Sequence, residues 1–269
     1  MTIGQYAEFL TWCAAEPGAL ARIQHPDQPS HKRSHAPAKW IEMHSAAIKG
    51  KKHLGAKIDL NYPINGVDWW DAFAYARYKN ARLPTEREWE KAARGKNGAI
   101  YPWGSKEDLS AFNSGFDQQK GGRVDNYQFW SPVDGIPTDV SNFGAVGMAG
   151  NVSEWTSSWD KGRSDGPAPI KRGASFGTPK DFELSVRRTS KPNERNSFTG
   201  IRIVSDIEPG TDDSYKPAAP KSITGAASEG EVEAGKGSEP AAAPAAPKFT
   251  WDPADGDDPF KSPFAVPAE

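Results

Sequence analysis

The sequence predicts an α+β domain over residues 1–206, with two main helices, few short strands and long ordered loops, followed by a disordered tail over 207–269. Three observations carry that prediction. Helical periodicity with clear end signals is confined to the first 95 residues. Beyond Gly95, stretches such as YPWG, FNSGFD and VDNYQFW mix aromatics, glycine and turn formers, the composition of short strands joined by ordered loops. After GIRIVSD (200–206) the composition shifts. Residues 207–269 hold ten of the 23 prolines, an EPAAAPAAPK run and scattered acids, too little apolar surface to offset the entropy of ordering.

The first helix is expected in QYAEFLTWCAAEPG, where Tyr6, Phe9, Leu10 and Cys13 fall on one face and place the only thiol in the core as an inert residue. Residues 22–57 read as a polar insertion and a solvated loop. It contains all five histidines and sets eight basic residues against Asp27 and Glu42. His31 and His35 have the i, i+4 spacing of two metal ligands on a helix, but Pro29 and Pro37 bracket them and argue against one. In GVDWWDAFAYARYKN, Asp68 is an N-cap and Trp70, Ala74 and Tyr78 share a face. In RLPTEREWEKAARG, Thr85 and Glu88 form a capping box, and Gly95 ends the helix in the left-handed conformation. The end of the tail, FTWDPADGDDPFKSPF, sets Phe249, Trp251, Phe260 and Phe264 among aspartates. It is either a solvated segment or one that docks in cis or on a partner.

Composition removes several classes of function. A net charge of −2 supplies no global field for nucleic acid or an anionic membrane. A single cysteine excludes an intrachain disulfide, a CxxC pair and a cysteine zinc site. No apolar run approaches the roughly 18 residues of a membrane span, and MTIGQYAEFL lacks the pattern of a signal peptide, so the chain as given reads as soluble and, by default, cytoplasmic. Ten tryptophans suffice for a substantial core.

Taken in order, PINGVDWWDAFAYARY, RLPTEREWEKAARG, YPWG, SNFGAVGMAGNVSEW, KRGASF and GIRIV resemble the sulfatase-modifying-factor family, whose founding activity is the formylglycine-generating enzyme. The resemblance implies a C-type-lectin-like fold, two helices on a small twisted antiparallel sheet, and loops ordered by calcium. The family begins with a strand hairpin ahead of a segment like Thr2–Leu10, so the resemblance also implies that this chain is the downstream part of a longer protein or that its start has been assigned too late.

The family's copper site uses two cysteines five apart, just after its RGGS strand. The matching residues here are Thr178 and Glu183, so no copper is expected. One family calcium site maps onto Asn113, Ser114, Asp125 and Tyr127, with an ion-free Asx turn as the alternative. A second maps onto Gly150, Val152 and Glu154. Gly147 stands where its anionic ligand belongs, so that site binds weakly or not at all, and Glu154 is expected to cap a backbone turn. Asn151, Trp155, Arg172 and Arg202 have structural explanations as turn, sheet and loop anchors. Alternatively, Arg172, Ser175, Thr178, Glu183, Arg187 and Arg188 line a groove suited to an acidic or phosphorylated ligand. These expectations point to a calcium-ordered ligand- or peptide-binding module, such as a part of a larger bacterial signalling protein. The alternative is a metal-dependent oxidoreductase of the same family, of formylglycine-generating or iron oxygenase type. It would use a non-cysteine centre such as His31, His35 and a carboxylate. A lectin-like variable protein of retroelement type fits less well, because those end near the GIRIV equivalent.

Overall fold

The computed structural model describes residues 1–116 and 124–206, so the expectations for the 207–269 tail lie outside the described residues. The chain opens with α1 (Ile3–Ala15), started by a capping box in which Thr2 accepts from the Gln5 amide and the Gln5 side chain accepts from the Thr2 amide. Tyr6 and Phe9 are buried on its inner face, where Tyr6 stacks on Tyr75 at 5.3 Å between ring centroids. Cys13 is only half-buried at the edge of this cluster. Burial still pushes its thiol up to about 12, so it is protonated and unreactive at neutral pH.

After α2 (Ala19–Ile23), the segment read as a solvated loop turns out to be packed structure. It contains α3 (Trp40–Lys49) and the hairpin β1 (Lys52–His53) and β2 (Ala56–Lys57). His25, Lys32, His35 and His53 are buried. The physical reason is pairing. The Lys32 ammonium sits 2.8 Å from both Asp68 and Asp71, His35 Nδ1 lies 3.1 Å from Asp71, and Arg195 reaches the same two carboxylates at 3.2 and 3.0 Å. Each buried charge thus has a counter-charge that water would otherwise supply. His25 meets Trp69 and Phe73 edge-on, and His53 stacks near Trp130.

The two helices with strong end signals form as expected. In α4 (Trp69–Tyr78) Asp68 is the N-cap and Asp71 closes a reciprocal box. In α5 (Glu86–Arg94) the Thr85–Glu88 box is complete. Gly95 ends α5 at φ 68°, ψ −163°, which is not the left-handed helical conformation but one open essentially to glycine.

The sheet has four strands, β3 (Ser153–Asp160), β4 (Ala168–Arg172), β5 (Arg187–Thr189) and β6 (Thr199–Gly200), in the order β5-β4-β3-β6. It is mixed rather than antiparallel, because β6 runs parallel to β3. The architecture is therefore α+β with few short strands, as read, and the described residues hold five helices, of which α4 and α5 are the two with complete end signals set beside the sheet. Trp155, fully buried on β3, donates its indole N–H to the Val67 carbonyl and ties the sheet to the start of α4.

Candidate functional site

The sheet register gathers the motifs at one end: Glu154 faces Arg172 across β3/β4, and Arg172 faces Arg187 across β4/β5. Irregular segments around residues 113, 125–131 and 139–151 pack beside it. The closest approach is at Gly150, where an added Cβ would lie 2.0 Å from the Asn113 carbonyl oxygen, so only glycine lets these two loops meet. The Asn151 amide donates to that same carbonyl at 2.8 Å, while its side chain exchanges hydrogen bonds with the Ser131 backbone. Asn151 thus pins three loops together.

Asn113, Ser114, Asp125 and Tyr127 are brought together. The Ser114 amide donates to Asp125 Oδ2 at 3.1 Å and the Tyr127 amide to Oδ1 at 2.8 Å. Asn113 is 1% exposed, and its Nδ2 donates to the Phe129 carbonyl at 2.7 Å. Its Oδ1 is buried without a hydrogen-bond partner among the described residues, an uncompensated acceptor of the kind a bound cation or water satisfies. A carboxylate, an amide oxygen and backbone carbonyls are the donor types that Ca²⁺ takes, and here both Asp125 oxygens accept backbone amides.

Gly150, Val152 and Glu154 meet a different arrangement. Glu154 does not cap a turn. Its carboxylate accepts from Arg202 at 2.7 and 2.9 Å and from the Trp89 indole at 2.6 Å. Arg202 also donates to the Val146 and Gly147 carbonyls. A guanidinium therefore holds the carboxylate that a second cation would need, while the carbonyls it takes are those of Val146 and Gly147 rather than those of Gly150 and Val152.

Asp139 belongs to this loop cluster and went unread in the sequence. It is buried, and its carboxylate accepts from the amides of Met148 and Ala149 at 3.0–3.1 Å. Burial pushes its pKa up to about 6, against the pull of those amides and of Arg202. The one available signal was indirect: with Gly147 lacking an acid, the following amides needed an acceptor from elsewhere. A small cavity of about 10 Å³, the size of one water, lies between Asn113, Asp139 and Asn151.

The groove residues separate. Arg172 is 1% exposed and so cannot line a surface. It donates to Glu90 at 2.9 Å and to the Leu184 carbonyl at 2.6 Å, and lies 3.4 Å from Glu86. Its guanidinium also stacks over Trp89. Ser175 is buried and bonds Thr178 Oγ1 through both its amide and its hydroxyl, closing a tight turn. Glu183 and Arg187 are exposed, the latter paired with Glu86, and Arg188 donates to the Gly173 and Asp181 carbonyls. His31 is exposed, His35 is buried against Asp71, and residues 31–37 form no helix, so these two histidines do not share a face. Among the described residues no group of three or more His, Cys, Asp or Glu side chains forms a metal cluster. No helix there is long and apolar enough to cross a membrane.

Comparison with known proteins agrees with the motif order. Uncharacterized protein YfmG of Bacillus subtilis is 31% identical over 212 residues, covering 68% of this chain and 41% of the relative. Formylglycine-generating enzyme of Mus musculus is 31% identical over 175 residues, 56% of this chain and 46% of its own length. Inactive C-alpha-formylglycine-generating enzyme 2 of Mus musculus is 40% identical over 161 residues, 56% and 51% respectively. The chain spans about half the length of these curated relatives. The family model of the FGE-sulfatase, or sulfatase-modifying factor enzyme 1-like, domain matches residues 1–207, and the chain belongs to that family.

Proposed function

We propose that this domain does not generate formylglycine and serves instead as a ligand- or peptide-binding module, ordered by calcium, within a larger signalling protein of bacterial type. The observation that carries the first part is the turn after β4. Where the copper-binding pair of the family belongs, the chain has Thr178, engaged with Ser175, and the exposed Glu183. Thiolates select Cu(I), and hydroxyl and carboxylate oxygens do not. Cys13 is single, lies on α1 and stays protonated. The relative named as inactive shares more identity with this chain than the mouse enzyme does, which is consistent with a family member that has left the founding chemistry.

Calcium is supported by the buried, unpartnered Asn113 oxygen beside Asp125. Asn113, Asp125 and the carbonyls of Ser114 and Tyr127 would hold the ion, whose role is to order loops that have no strand ladder. The Tyr127 amide bonded to Asp125 Oδ1 favours a second reading, an Asx turn with no ion. For the ligand, Arg187 and Arg188 at the edge strand, with Thr178 nearby, suit an acidic peptide, whereas the buried Arg172 serves the fold.

The test of the first part is incubation of the full chain with copper, reductant, dioxygen and a cysteine-containing sulfatase-type peptide, read by peptide mass. No formylglycine is expected. Stoichiometric conversion would show that another centre performs the oxidation and would return the chain to the enzymes.

A further inference from the structure

A groove of about 450 Å³ lies between α1 and α3, away from the loop motifs around Asn113, Asp139 and Asn151. Its walls are Ala7, Leu10 and Ala14 on one side and Trp40 with His44, stacked at 4.7 Å, on the other. Next to it, Ile41 and Ile48 of α3 are 56% and 60% exposed. Residues 41, 44 and 48 share one helical face, so the outer side of α3 is apolar where a solvent-facing helix would be polar. The lining itself carries no lysine or arginine, and α1 and α3 present Glu8, Glu16 and Glu42 as well as lysines, but the segment that contains α3 is basic as a whole. Residues 22–57 carry eight basic and two acidic residues, and with Lys32 committed to its buried network, Lys39, Lys49, Lys51 and Lys52 remain at the two ends of α3.

We propose that residues 249–264 of the same chain dock in this groove. Their sequence, FTWDPADGDDPFKSPF, puts Phe249 and Trp251 ahead of four aspartates and Phe260 and Phe264 behind them, aromatic anchors flanking a negative centre. The groove offers the complement, an apolar floor between lysine-bearing ends. The complementarity extends to the whole chain. Residues 207–269 hold twelve acidic and five basic residues, net −7; the chain as a whole is −2, so residues 1–206 are net +5. The 42 residues from 207 to 248 span up to about 140 Å when extended, so reach does not restrict the choice of face. Charge and apolarity make the choice. A second copy is the poorer occupant, because it would bring one net-positive domain against another. Tethering keeps the segment at an effective concentration of roughly millimolar, enough to populate a weak contact.

The experiment is photo-crosslinking in the full chain at low protein concentration, with p-benzoylphenylalanine in place of Trp251 and products mapped by mass spectrometry. Intrachain crosslinks to 3–15 or 40–49 are expected. Ala14→Glu, an exposed position in the groove, should fold normally and reduce them at least fivefold, as should 0.5 M salt. Crosslinks to other faces, crosslinks between chains, or no product at all would overturn the proposal.

Discussion

A carboxylate buried in a loop must find donors, and Asp139 finds the amides of Met148 and Ala149. Asp139→Ala takes the acceptor from both buried amides. The expected cost is about 2–3 kcal/mol in urea unfolding. A change within error would mean that water satisfies those amides. Residues of this kind are hard to read in sequence, because the partners lie nine and ten positions away in a segment without period. Asn113 and Asp125 were legible only through family resemblance. The spacing of the two residues carries no helical or strand signal, and the orphaned Asn113 oxygen that distinguishes a possible ion site is a property of packing. Arg172 was read both as an anchor and as a groove wall. The deciding fact is the pair Glu86 and Glu90 on α5, one helical turn apart and facing β4.

At the scale of elements, end signals were more informative than composition. The boxes at Asp68–Asp71 and Thr85–Glu88 are local chemistry, so α4 and α5 form where their sequences start them. By contrast, α3 has Lys39 in the left-handed conformation as its N-cap and no side chain capping it, so nothing in the sequence announced its start. The basic composition of 22–57 then suggested solvent, whereas its buried Lys32 is neutralised by Asp68 and Asp71, carboxylates 36 and 39 residues on that also hold Arg195. Burial alone would raise the Asp71 carboxyl, but Arg195, Lys32 and His35 outweigh it and hold it well below the usual carboxylate range. A depressed folded value means that the contribution of Asp71 is complete above about pH 4, its unfolded range, and is lost as pH falls below that. Asp71→Ala leaves Lys32 and Arg195 to share the single carboxylate of Asp68 and should cost about 3 kcal/mol at pH 7. It should also flatten the acid limb of the stability profile. An unchanged acid limb would place the titration elsewhere.

At the scale of the molecule, a short mixed sheet and the five helices of the described residues hold a set of loops that have almost no ladder of their own there. Loop order is supplied piecewise: Asn151 staples three segments, Asp139 holds one turn, and Arg202 ties Glu154 to the Val146 and Gly147 carbonyls. That leaves the Asn113–Asp125 set as the place where an ion would complete the domain. With a single carboxylate in that set, its affinity should fall toward the weak end of calcium sites, so the ion must be present during purification.

The most direct test is therefore elemental analysis of the full chain purified in about 1 mM calcium, a concentration chosen for weak sites, with thermal melts before and after chelation, for wild type and Asp125→Ala. The account predicts about one calcium per chain and a melting temperature that drops on chelation in wild type alone. A chain with no calcium whose melt ignores chelator would establish the Asx turn without an ion. A stoichiometric transition metal unaffected by Asp125→Ala would contradict the binding-module reading itself.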